Sequence, residues 1–590
     1  MPGRQDDIPD ALLTVELERL LASHAFRRSP HQSRLLKYLV EQVRAGRGDR
    51  LKESTVAVAV LGRSASGFDS RSDTAVRVTV RRLRQRLARY YATEGAWASV
   101  EIAIPVGSYV PLFQRRPQNG GAKLPSIAVL PLLNFTGHPA VNAFCDSLAE
   151  EITDVLAHLP GVKVIARTSA FRFRDGLTDA RAIGQALGVA TLLEGSVQVG
   201  PDGQAKVVVQ WVRSSDGFHA WSCSMEASPG EHDAVFRERV AREVVVGLQR
   251  RLRETGPAHG APSIARGARR SHNGEAQELY DAGRYLLRTE TIDGYRRAID
   301  KLREATAADP EFALAHCALG RALVSLVGMT VAPANGLLTG ARQALARALA
   351  LDPELGEAHA LSGFIACAFD RDWTRAELSH LRGIRSAPSL PYAHSAYAWG
   401  LMVNRRFAEA DAEFRFAREL DPLDLKVRAH QALVALYAGD DEAAVAQLEA
   451  ILVVEPAHVI ARALLATAHL WRGDADRAGA LFAALLRAHP GLSIGEVGLA
   501  QVDAEKGRVQ AARARLARLK SGRRVHLPPY QVAMIHARLG EANAALSWLK
   551  RAALQNDVNF VCAPLDRSFA RLRADPRFDK LLARFGVAAH

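Results

Sequence analysis

The second half of the chain is constrained most strongly by a regular spacing of prolines. They stand at Pro310, Pro353, Pro388, Pro422, Pro456 and Pro490, and the last three intervals are each 34 residues. Twelve, eight and five positions before each proline come a small residue, a large apolar one and usually another small or apolar one, as in Ala410, Phe414 and Ala417. Because proline ends a helix and small residues let helices approach, this pattern predicts a repeating pair of closely packed helices.

The 34-residue period and the Ala-Phe-Ala offsets resemble tetratricopeptide (TPR) repeats. The resemblance predicts an all-α superhelix over residues 275–590, in which each repeat buries the face of its neighbour. The repeat at 357–390 departs from the pattern, because His380 and Gly383 stand where leucine and alanine are expected. A final amphipathic stretch at 573–586, RADPRFDKLLARFG, is predicted to cap the array.

In TPR repeats the first helix of each pair lines a concave groove. That register places five residues of this chain in the groove: Tyr392, Trp399 and Met402 in one repeat, and Thr467 and Trp471 in another. Aromatic side chains on an exposed concave surface suit capture of a protein or peptide ligand. The alternative is that Trp399 and Trp471 pack between repeats.

A basic amphipathic segment, SRSDTAVRVTVRRLRQRLARYY, occupies residues 70–91. Its apolar residues recur every three or four positions and predict one buried helical stripe, made of Val76, Val80, Leu83, Leu87 and Tyr90. Arg81, Gln85 and Arg89 lie roughly opposite that stripe. Guanidinium groups match guanine edges and phosphates, so the segment is predicted to bind nucleic acid. The alternative is a solvated surface helix.

The surroundings of this segment add a second pattern. Helices are predicted before it at 9–26, 29–44 and 51–62, and two short strands after it at 100–104 and 109–113. With the motifs VRVTVRRLRQRL and IPVGSYVPLF, this order resembles the winged-helix domains of OmpR-type response regulators. The resemblance implies a DNA-binding domain at 1–113. This chain departs from the family pattern in two ways: the N-terminal sheet of the family is absent, and the wing reads V-G-S-Y.

The winged-helix resemblance implies roles for individual residues. Those expected at base edges are Arg77, Arg81, Arg82 and Gln85, and those expected to hold phosphates are Arg84, Arg86, Arg89 and the wing residues Ser108 and Tyr109. About five phosphate contacts would give log K a slope of roughly −5 against log salt. Residues 1–121 hold 20 Lys and Arg against 12 Asp and Glu, so more than half of the net charge of +14 lies there and favours an anionic partner.

Residues 124–252 alternate predicted strands and helices, which favours a mixed sheet with helices on a face. The stretches SIAVLPLLNFTG, FCDSLAEEITDVLAHLPGVKVIARTSAF, IGQALGVATLLEGSV and SDGFHAWS resemble the TolB-like (FlgO-like) domain of bacterial signalling proteins. That resemblance implies a fold and no catalytic residues. Residues 114–123 and 253–274, rich in Gly, Pro and polar residues, are predicted to be linkers.

The sequence contains no phosphate-binding loop, HExxH, GxSxG or kinase-type motif. Its five cysteines are dispersed without a CxxC pair, so neither a metal site nor a cofactor is predicted. Glu150 and Glu151 are interpreted as surface acids near a helix start rather than a catalytic pair. Proteins that combine TolB-like and TPR segments often carry a nucleotide cyclase domain, but residues 1–121 are too short and lack its spaced aspartates. The prediction is a protein that is not an enzyme.

The combined hypothesis is a multidomain protein with an α-rich winged helix, an α/β TolB-like domain with a mixed sheet, and an all-α TPR superhelix. It would be a cytoplasmic transcription regulator that binds double-stranded DNA and a protein or peptide partner, with no membrane segment. The alternative is a non-enzymatic TPR scaffold whose winged-helix-like domain does not bind DNA. Acids or the α/β domain covering Arg81, Gln85 and Arg89 would favour the scaffold. Whether the protein forms a homodimer stays open.

Overall fold

A computed structural model of the protein describes residues 8–587, apart from 28, 63–73, 93–94, 96–97, 99, 116–123, 160, 175–177, 200–203, 232, 256–270, 272, 330–333, 491 and 522–526. The two predicted linkers lie mostly outside the described residues. So does the polar stretch that leads into the basic helix.

The N-terminal domain, residues 8–115, consists of helices followed by a hairpin. Its elements are α1 (Asp10–Ala22), α2 (His24–Arg27), α3 (Pro30–Arg44), α4 (Glu53–Leu61), α5 (Ala75–Ala92), β1 (Val100–Ala103) and β2 (Leu112–Arg115), with a 3-10 turn at Gly48–Arg50. The two strands are antiparallel, with Val100 opposite Arg115. This order of elements matches the prediction, and the assignment as a winged helix stays a prediction.

One apolar core holds the N-terminal domain together. The predicted stripe of α5 is confirmed, because Val76, Val80, Leu83, Leu87 and Tyr90 are each at most 3% exposed. They pack with apolar residues of α1, α2, α3 and β1. The backbone N–H of Ile102 donates to the Tyr91 hydroxyl at 2.8 Å, which joins the hairpin to the end of α5. The basic helix is therefore fixed along its whole apolar side.

The α/β domain, residues 124–255, has a mixed sheet as predicted. Its elements are β3 (Ser126–Val129), β4 (Leu133–Asn134), α6 (Pro139–Ala157), β5 (Lys163–Val164), α7 (Arg167–Ala170), α8 (Ala180–Leu187), β6 (Thr191–Val199), β7 (Ala205–Arg213), β8 (His219–Glu226) and α9 (Asp233–Thr255), with a 3-10 turn at Phe171–Phe173. The strand order is β5-β3-β6-β7-β8, and β4 also pairs with β6. Strand β3 runs parallel to β5 and β6, while β6, β7 and β8 are antiparallel. Helices α6 and α9 pack on one core, and α8 on another.

The helical array, residues 271–587, consists of TPR-like helical repeats. Its helices are α10 (Gly274–Leu287), α11 (Ile292–Ala308), α12 (Ala313–Gly328), α13 (Ala334–Leu351), α14 (Gly356–Ile365), α15 (Trp373–Ser386), α16 (Pro391–Val403), α17 (Phe407–Leu420), α18 (Leu425–Ala438), α19 (Asp441–Val454), α20 (Val459–Trp471), α21 (Ala475–Ala488), α22 (Ser493–Glu505), α23 (Val509–Ser521), α24 (Pro529–Arg538), α25 (Ala542–Leu554) and α26 (Pro576–Arg584). A π-helical turn occupies Ala366–Asp370, and 3-10 turns occupy Val558–Cys562 and Arg567–Leu572.

The residues at the regular offsets that predict these repeats are buried between the paired helices. The small and large residues at the fixed offsets, such as Ala410 and Phe414, are at most 1% exposed between paired helices. Three successive repeats share a histidine position: His316, His359 and His394 each bond the carbonyl of the proline six residues before them, at 3.1, 2.8 and 2.9 Å. Those histidines are therefore structural, as their shared position predicts.

The repeat that departs from the pattern is irregular in the structure. A Cβ on Gly383 would lie 3.0 Å from the Gly356 carbonyl oxygen, so α14 and α15 approach more closely than alanine allows. His380 is 1% exposed and takes the position of the large apolar residue. The π-helical turn follows α14 directly.

The three parts of the chain pack against one another around this irregular repeat. Helix α1 packs on α15, and the Glu18 carboxylate accepts hydrogen bonds from Arg382 and Arg385. On the α/β side, the Ser389 hydroxyl accepts from the Val164 N–H at 3.1 Å and donates to the Val162 carbonyl at 3.0 Å. The N-terminal domain and the α/β domain are therefore both attached to the array.

Candidate nucleic-acid interface and peptide groove

Helix α5 separates its apolar and polar side chains cleanly. Arg81, Arg82 and Gln85 are exposed on the side away from the buried stripe, and Arg77 and Arg89 are exposed beside them. Among the described residues, no carboxylate lies within salt-bridge distance of Arg81 or Arg82. The described part of the α/β domain does not cover these side chains. Within the described part of the chain, Arg81, Arg82 and Gln85 are therefore exposed together on one face of α5.

Arg84 has a different role from the one predicted for it. Its Nε donates to the Ile104 carbonyl at 2.9 Å, and its Nη2 donates to the carbonyls of Pro105 and Ser108 at 2.8 Å each. These three bonds hold the hairpin loop against α5. The guanidinium group is thus occupied by this chain, and a phosphate contact would have to share it.

Arg86 and Arg77 also contact their own domain. Arg86 donates to the Ala25 carbonyl, and its guanidinium carbon lies 5.9 Å from the centre of the Phe26 ring. This contact ties α5 to α2 and takes Arg86 away from its predicted phosphate role. Arg77 donates to Glu53 at 2.8 Å and remains 51% exposed, so it can still reach a partner.

The hairpin loop presents an apolar tip. Val106 is 92% exposed beside Gly107, whose φ of 82° lies in the left-handed region. The predicted wing residues lie lower: the Ser108 hydroxyl accepts from the Val110 N–H, and Tyr109 packs partly buried on the domain core. Burial raises the pKa of Tyr109, and the Glu53 carboxylate adds to the rise. The sequence reasoning missed Val106, although its place between Pro105 and Gly107 marks a turn.

The predicted peptide groove is filled in its first repeat. Met402 is fully buried. The ring centres of Trp399 and Phe364 are 5.2 Å apart, and Trp399 packs against two apolar clusters of the array. Tyr392 is partly buried beneath the guanidinium of Arg321, which is 5.9 Å from the ring centre. These side chains pack within the array, as the alternative reading of the tryptophan positions predicts.

The second repeat of the predicted groove is covered as well. The Thr467 hydroxyl donates to the Ala463 carbonyl of its own helix at 2.9 Å. Trp471 stacks on Tyr437 with ring centres 6.0 Å apart, and the guanidinium of Arg567 lies 5.2 Å above it. Arg567 belongs to the C-terminal segment, which we define as residues 556–578. We call the surface that it covers the inner face, made by the last turns of α16, α18 and α20 with Met402, Tyr437 and Trp471.

Glu150 and Glu151 are not the surface acids that the sequence analysis predicts. Both are at most 9% exposed in the middle of α6, which begins at Pro139 rather than near Glu150. Glu150 contacts Arg167 at 2.5 Å and Arg288 and Arg284 of the helical array. Burial raises the pKa of Glu150, but the three guanidinium groups outweigh it and leave the pKa below its usual value. Glu150 therefore joins two domains, whereas Glu151 lies 3.9 Å from Arg237 of α9 within the α/β domain.

The described residues offer little to a metal ion or a reactive thiol. No three His, Cys, Asp or Glu side chains among them lie close enough together to hold a metal. The five cysteines are free, and burial raises the pKa of Cys145 to about 11 and of Cys562 to about 12. Within the same residues, every helix falls short, in length or in hydropathy, of what a membrane crossing requires.

No protein-family model matches the chain. A curated relative, "Putative adenylate cyclase 3" of Rhizobium meliloti (strain 1021), is 29% identical over 195 residues, which are 33% of this chain. The chain spans about a third of that relative's length (32%). Because the relative carries the name of an enzyme, this match contradicts the prediction that the chain is not an enzyme.

Solved structures also resemble the chain in part. A monomeric IFIT1 mutant with Gppp-AAAA is 14% identical, with 57% of this chain and 78% of that one covered and a TM-score of 0.38. TTC0263, a thermophilic TPR protein of Thermus thermophilus, is 21% identical, with 34% and 93% covered and a TM-score of 0.24.

Proposed function

We propose that the protein is a DNA-binding transcription regulator with a winged-helix N-terminal domain and a helical array that binds a protein partner. The observation that carries the proposal is the polar face of α5, where Arg81, Arg82 and Gln85 are exposed together. An α-helix fits the major groove of B-DNA, and arginine and glutamine suit guanine and adenine edges.

The contacts of α5 divide its residues into two groups. Arg77, Arg81, Arg82 and Gln85 approach base edges, and Arg89 meets the phosphate backbone with the hairpin tip around Val106. Arg84 and Arg86 act as positioning residues, because their guanidinium groups hold the hairpin loop and α2.

The proposal includes the domain organisation expected from the sequence. The DNA-binding domain covers 1–113, a TolB-like domain covers 124–252, and the TPR domain covers 275–590. The buried contacts of Glu150 and Ser389 support a TolB-like domain that packs on the helical array.

A titration of duplex DNA by fluorescence anisotropy tests DNA binding. Log K should fall as log salt rises, with a slope of about −0.9 for each phosphate that Arg89 or another exposed arginine of α5 contacts. Arg81→Ala should weaken binding to a preferred sequence by about 1–3 kcal/mol. Arg303→Ala is the matched control, since Arg303 is 63% exposed on α11 of the helical array. A slope near zero on every duplex tried would leave the array as a protein-interaction scaffold without DNA binding.

The match to the named cyclase favours a second candidate, conversion of ATP to a cyclic nucleotide. The test is incubation of the full chain with ATP and either Mg²⁺ or Mn²⁺, with cyclic AMP measured by mass spectrometry. Product above that of a heat-denatured sample supports this candidate. Product at the background level with both ions removes it.

A further inference from the structure

The C-terminal segment contains a nine-residue repeat: DVNF at 557–560, DRSF at 566–569 and DPRF at 575–578. In each copy the aspartate accepts a hydrogen bond from the N–H two residues later, at 3.2, 2.8 and 3.0 Å respectively. The phenylalanines that end the copies, Phe560, Phe569 and Phe578, are each 0% exposed. Each copy is therefore a capped turn that buries one aromatic ring, and we call it a D-x-x-F turn.

Tyr530, near the start of α24, donates hydrogen bonds to two of these turns. Its N–H donates to Asp557 at 3.0 Å, and its hydroxyl donates to Asp566 at 2.9 Å. Its ring meets Phe569 edge-on, with centres 5.3 Å apart. One tyrosine of the array thus recognises both the aspartate and the phenylalanine of a D-x-x-F turn.

The turns between paired helices mark the path of the segment. At equivalent positions, later repeats place Gly439, Gly473 and Gly507 in the left-handed region, where glycine is free of strain. The two earlier repeats have Arg371 and Arg405 there, with φ of 57° and 61°. A side chain in this conformation is strained, because its Cβ lies too close to the following carbonyl oxygen.

Both of these arginines bind the C-terminal part of the chain. Arg371 donates to the Ala553 carbonyl at 3.3 Å and lies 5.2 Å from the Phe560 ring centre. Arg405 donates to the Pro564 carbonyl at 3.5 Å. Arg371 and Arg405 therefore stand where the segment passes, whereas Glu290, left-handed at the same position of the first helix pair, bonds Lys426 of the array.

Arg567, the second residue of the middle turn, is the anchor that solvent can reach. Its Nη1 and Nη2 donate to the two oxygens of Asp441 at 2.8 Å each, and Nη2 also donates to the Leu436 carbonyl at 3.2 Å. The side chains of Arg567 and Asp441 are 29% and 20% exposed. A bidentate pair of this kind fixes orientation as well as binding.

We propose that the D-x-x-F turns are a built-in ligand of the helical array, held by Tyr530 of α24, Asp441 of α19 and the inner face, and that the protein partner binds by presenting its own D-x-x-F turn with arginine at the second position. The partner's turn would take the Tyr530 and Asp441 sites from the turn at 566–569. This inference rests on the proposed partner binding by the helical array, and it is independent of DNA binding.

The test uses the full chain and a fluorescein-labelled peptide with the sequence of residues 556–573. Arg567→Ala weakens the built-in ligand without touching the buried phenylalanines. The Arg567→Ala protein should bind the peptide at least ten-fold more tightly than the wild-type protein does. A peptide with Phe569→Ala should lose at least ten-fold in affinity. Arg303→Ala is again the matched protein control and should behave as wild type.

Hydrogen exchange on the same samples distinguishes displacement of the C-terminal segment from a general loss of stability in the Arg567→Ala protein. Peptide binding should speed exchange in 556–572 while α18 and α20 stay protected. Equal peptide affinity of folded wild-type and Arg567→Ala proteins would overturn the proposal. So would equal binding of the Phe569→Ala peptide, or dimers in which copies exchange their segments without binding peptide. Each of these results leaves the salt dependence of DNA binding unaffected, so the two proposals fail separately.

Discussion

His380 stands at a buried position of its repeat, where a TPR-like pair needs a large apolar side chain. It is 1% exposed, and neither ring nitrogen has a hydrogen-bond partner among the described residues. A Cβ on Gly363 would lie 2.7 Å from its Nδ1, so the facing helix carries glycine to make room for the ring. Burial lowers the pKa of His380 to about 3. The imidazole therefore remains neutral across the physiological range.

His380→Leu should raise the free energy of unfolding by about 1–2 kcal/mol, because it removes two buried polar atoms without partners. It should also change the pH dependence. The pKa of His380 is lower in the folded state than in the unfolded state, where it is about 6.5. The wild type is therefore fully stable above about pH 6.5 and loses stability as the pH falls towards 3. Urea denaturation at pH 7 and pH 5 checks both effects.

The variant should lose less stability than the wild type between those two pH values. His31→Leu is the control, since His31 is exposed on α3 and should leave the wild-type slope unchanged. A variant that is less stable than wild type at pH 7 would contradict this account of His380.

Among the elements, α1 makes the contact that places the N-terminal domain on the array. Glu18 of α1 accepts from Arg382 at 3.2 Å and from Arg385 at 3.2 Å. Val15 of the same helix joins the apolar cluster of the array. Burial raises the pKa of Glu18, but the two guanidinium groups outweigh it and bring the pKa below 4.5. The contact is therefore partly ionic and depends on an ionised Glu18.

Glu18→Gln should loosen α1 from α15 and speed hydrogen exchange in residues 10–22 several-fold. In the wild type, the contribution of Glu18 is present above pH 4.5 and is lost as the pH falls through its lowered pKa. Added salt should weaken the same contact by screening. Glu41→Gln serves as the control, because Glu41 is 51% exposed and pairs only at 3.8 Å with Lys37. Unchanged exchange in α1 of the Glu18 variant would show that the apolar contacts alone hold it.

Elements with a local cause were predictable from the sequence, and those with a distant cause were not. The stripe of α5 follows from residues three or four apart, so its burial was predicted correctly. Strand β2 was predicted at 109–113 but runs from Leu112 to Arg115. The reason is Arg84, which binds the carbonyls of Ile104, Pro105 and Ser108 and holds the loop away from strand pairing. The spacing of apolar residues in the sequence cannot predict such a contact between a side chain and the backbone of a distant loop.

On the scale of the whole molecule, the α/β domain and the array share buried polar contacts. The Ser169 hydroxyl bonds Asp421 and accepts from the Leu423 N–H, and the Ala166 N–H donates to the Leu420 carbonyl at 2.7 Å. Ser389 is 4% exposed between the two parts. Buried polar groups that satisfy each other in this way make separation of the parts costly.

Ser389→Ala should leave the Val164 N–H and the Val162 carbonyl without their partner and weaken the contact by about 1–3 kcal/mol. Differential scanning calorimetry should then show one joint transition for the wild type and two separate transitions, of the α/β domain and of the array, for the variant. Ser386→Ala on the preceding helix is the control, since its hydroxyl bonds Glu354 at an exposed site. Identical calorimetric traces for Ser389→Ala and wild type would contradict a shared unfolding unit.

The candidate sites, like the elements, include features that follow from nearby residues and features that depend on distant ones. The exposure of Arg81 and Gln85 could be predicted, because it depends on the helix that carries them. The covering of Trp471 could not be predicted from the repeat register, since Arg567 comes from far along the chain. The D-x-x-F repeat was visible in the sequence, but a nine-residue period lies outside the 34-residue pattern that governs the array.

The pairing of Arg567 with Asp441 also sets an order of events during synthesis. The two residues are 126 positions apart, so the inner face is made well before the segment that covers it. At about 5–20 residues per second, the interval is on the order of ten seconds. During that time Trp471 lacks the guanidinium of Arg567 that covers it in the finished protein.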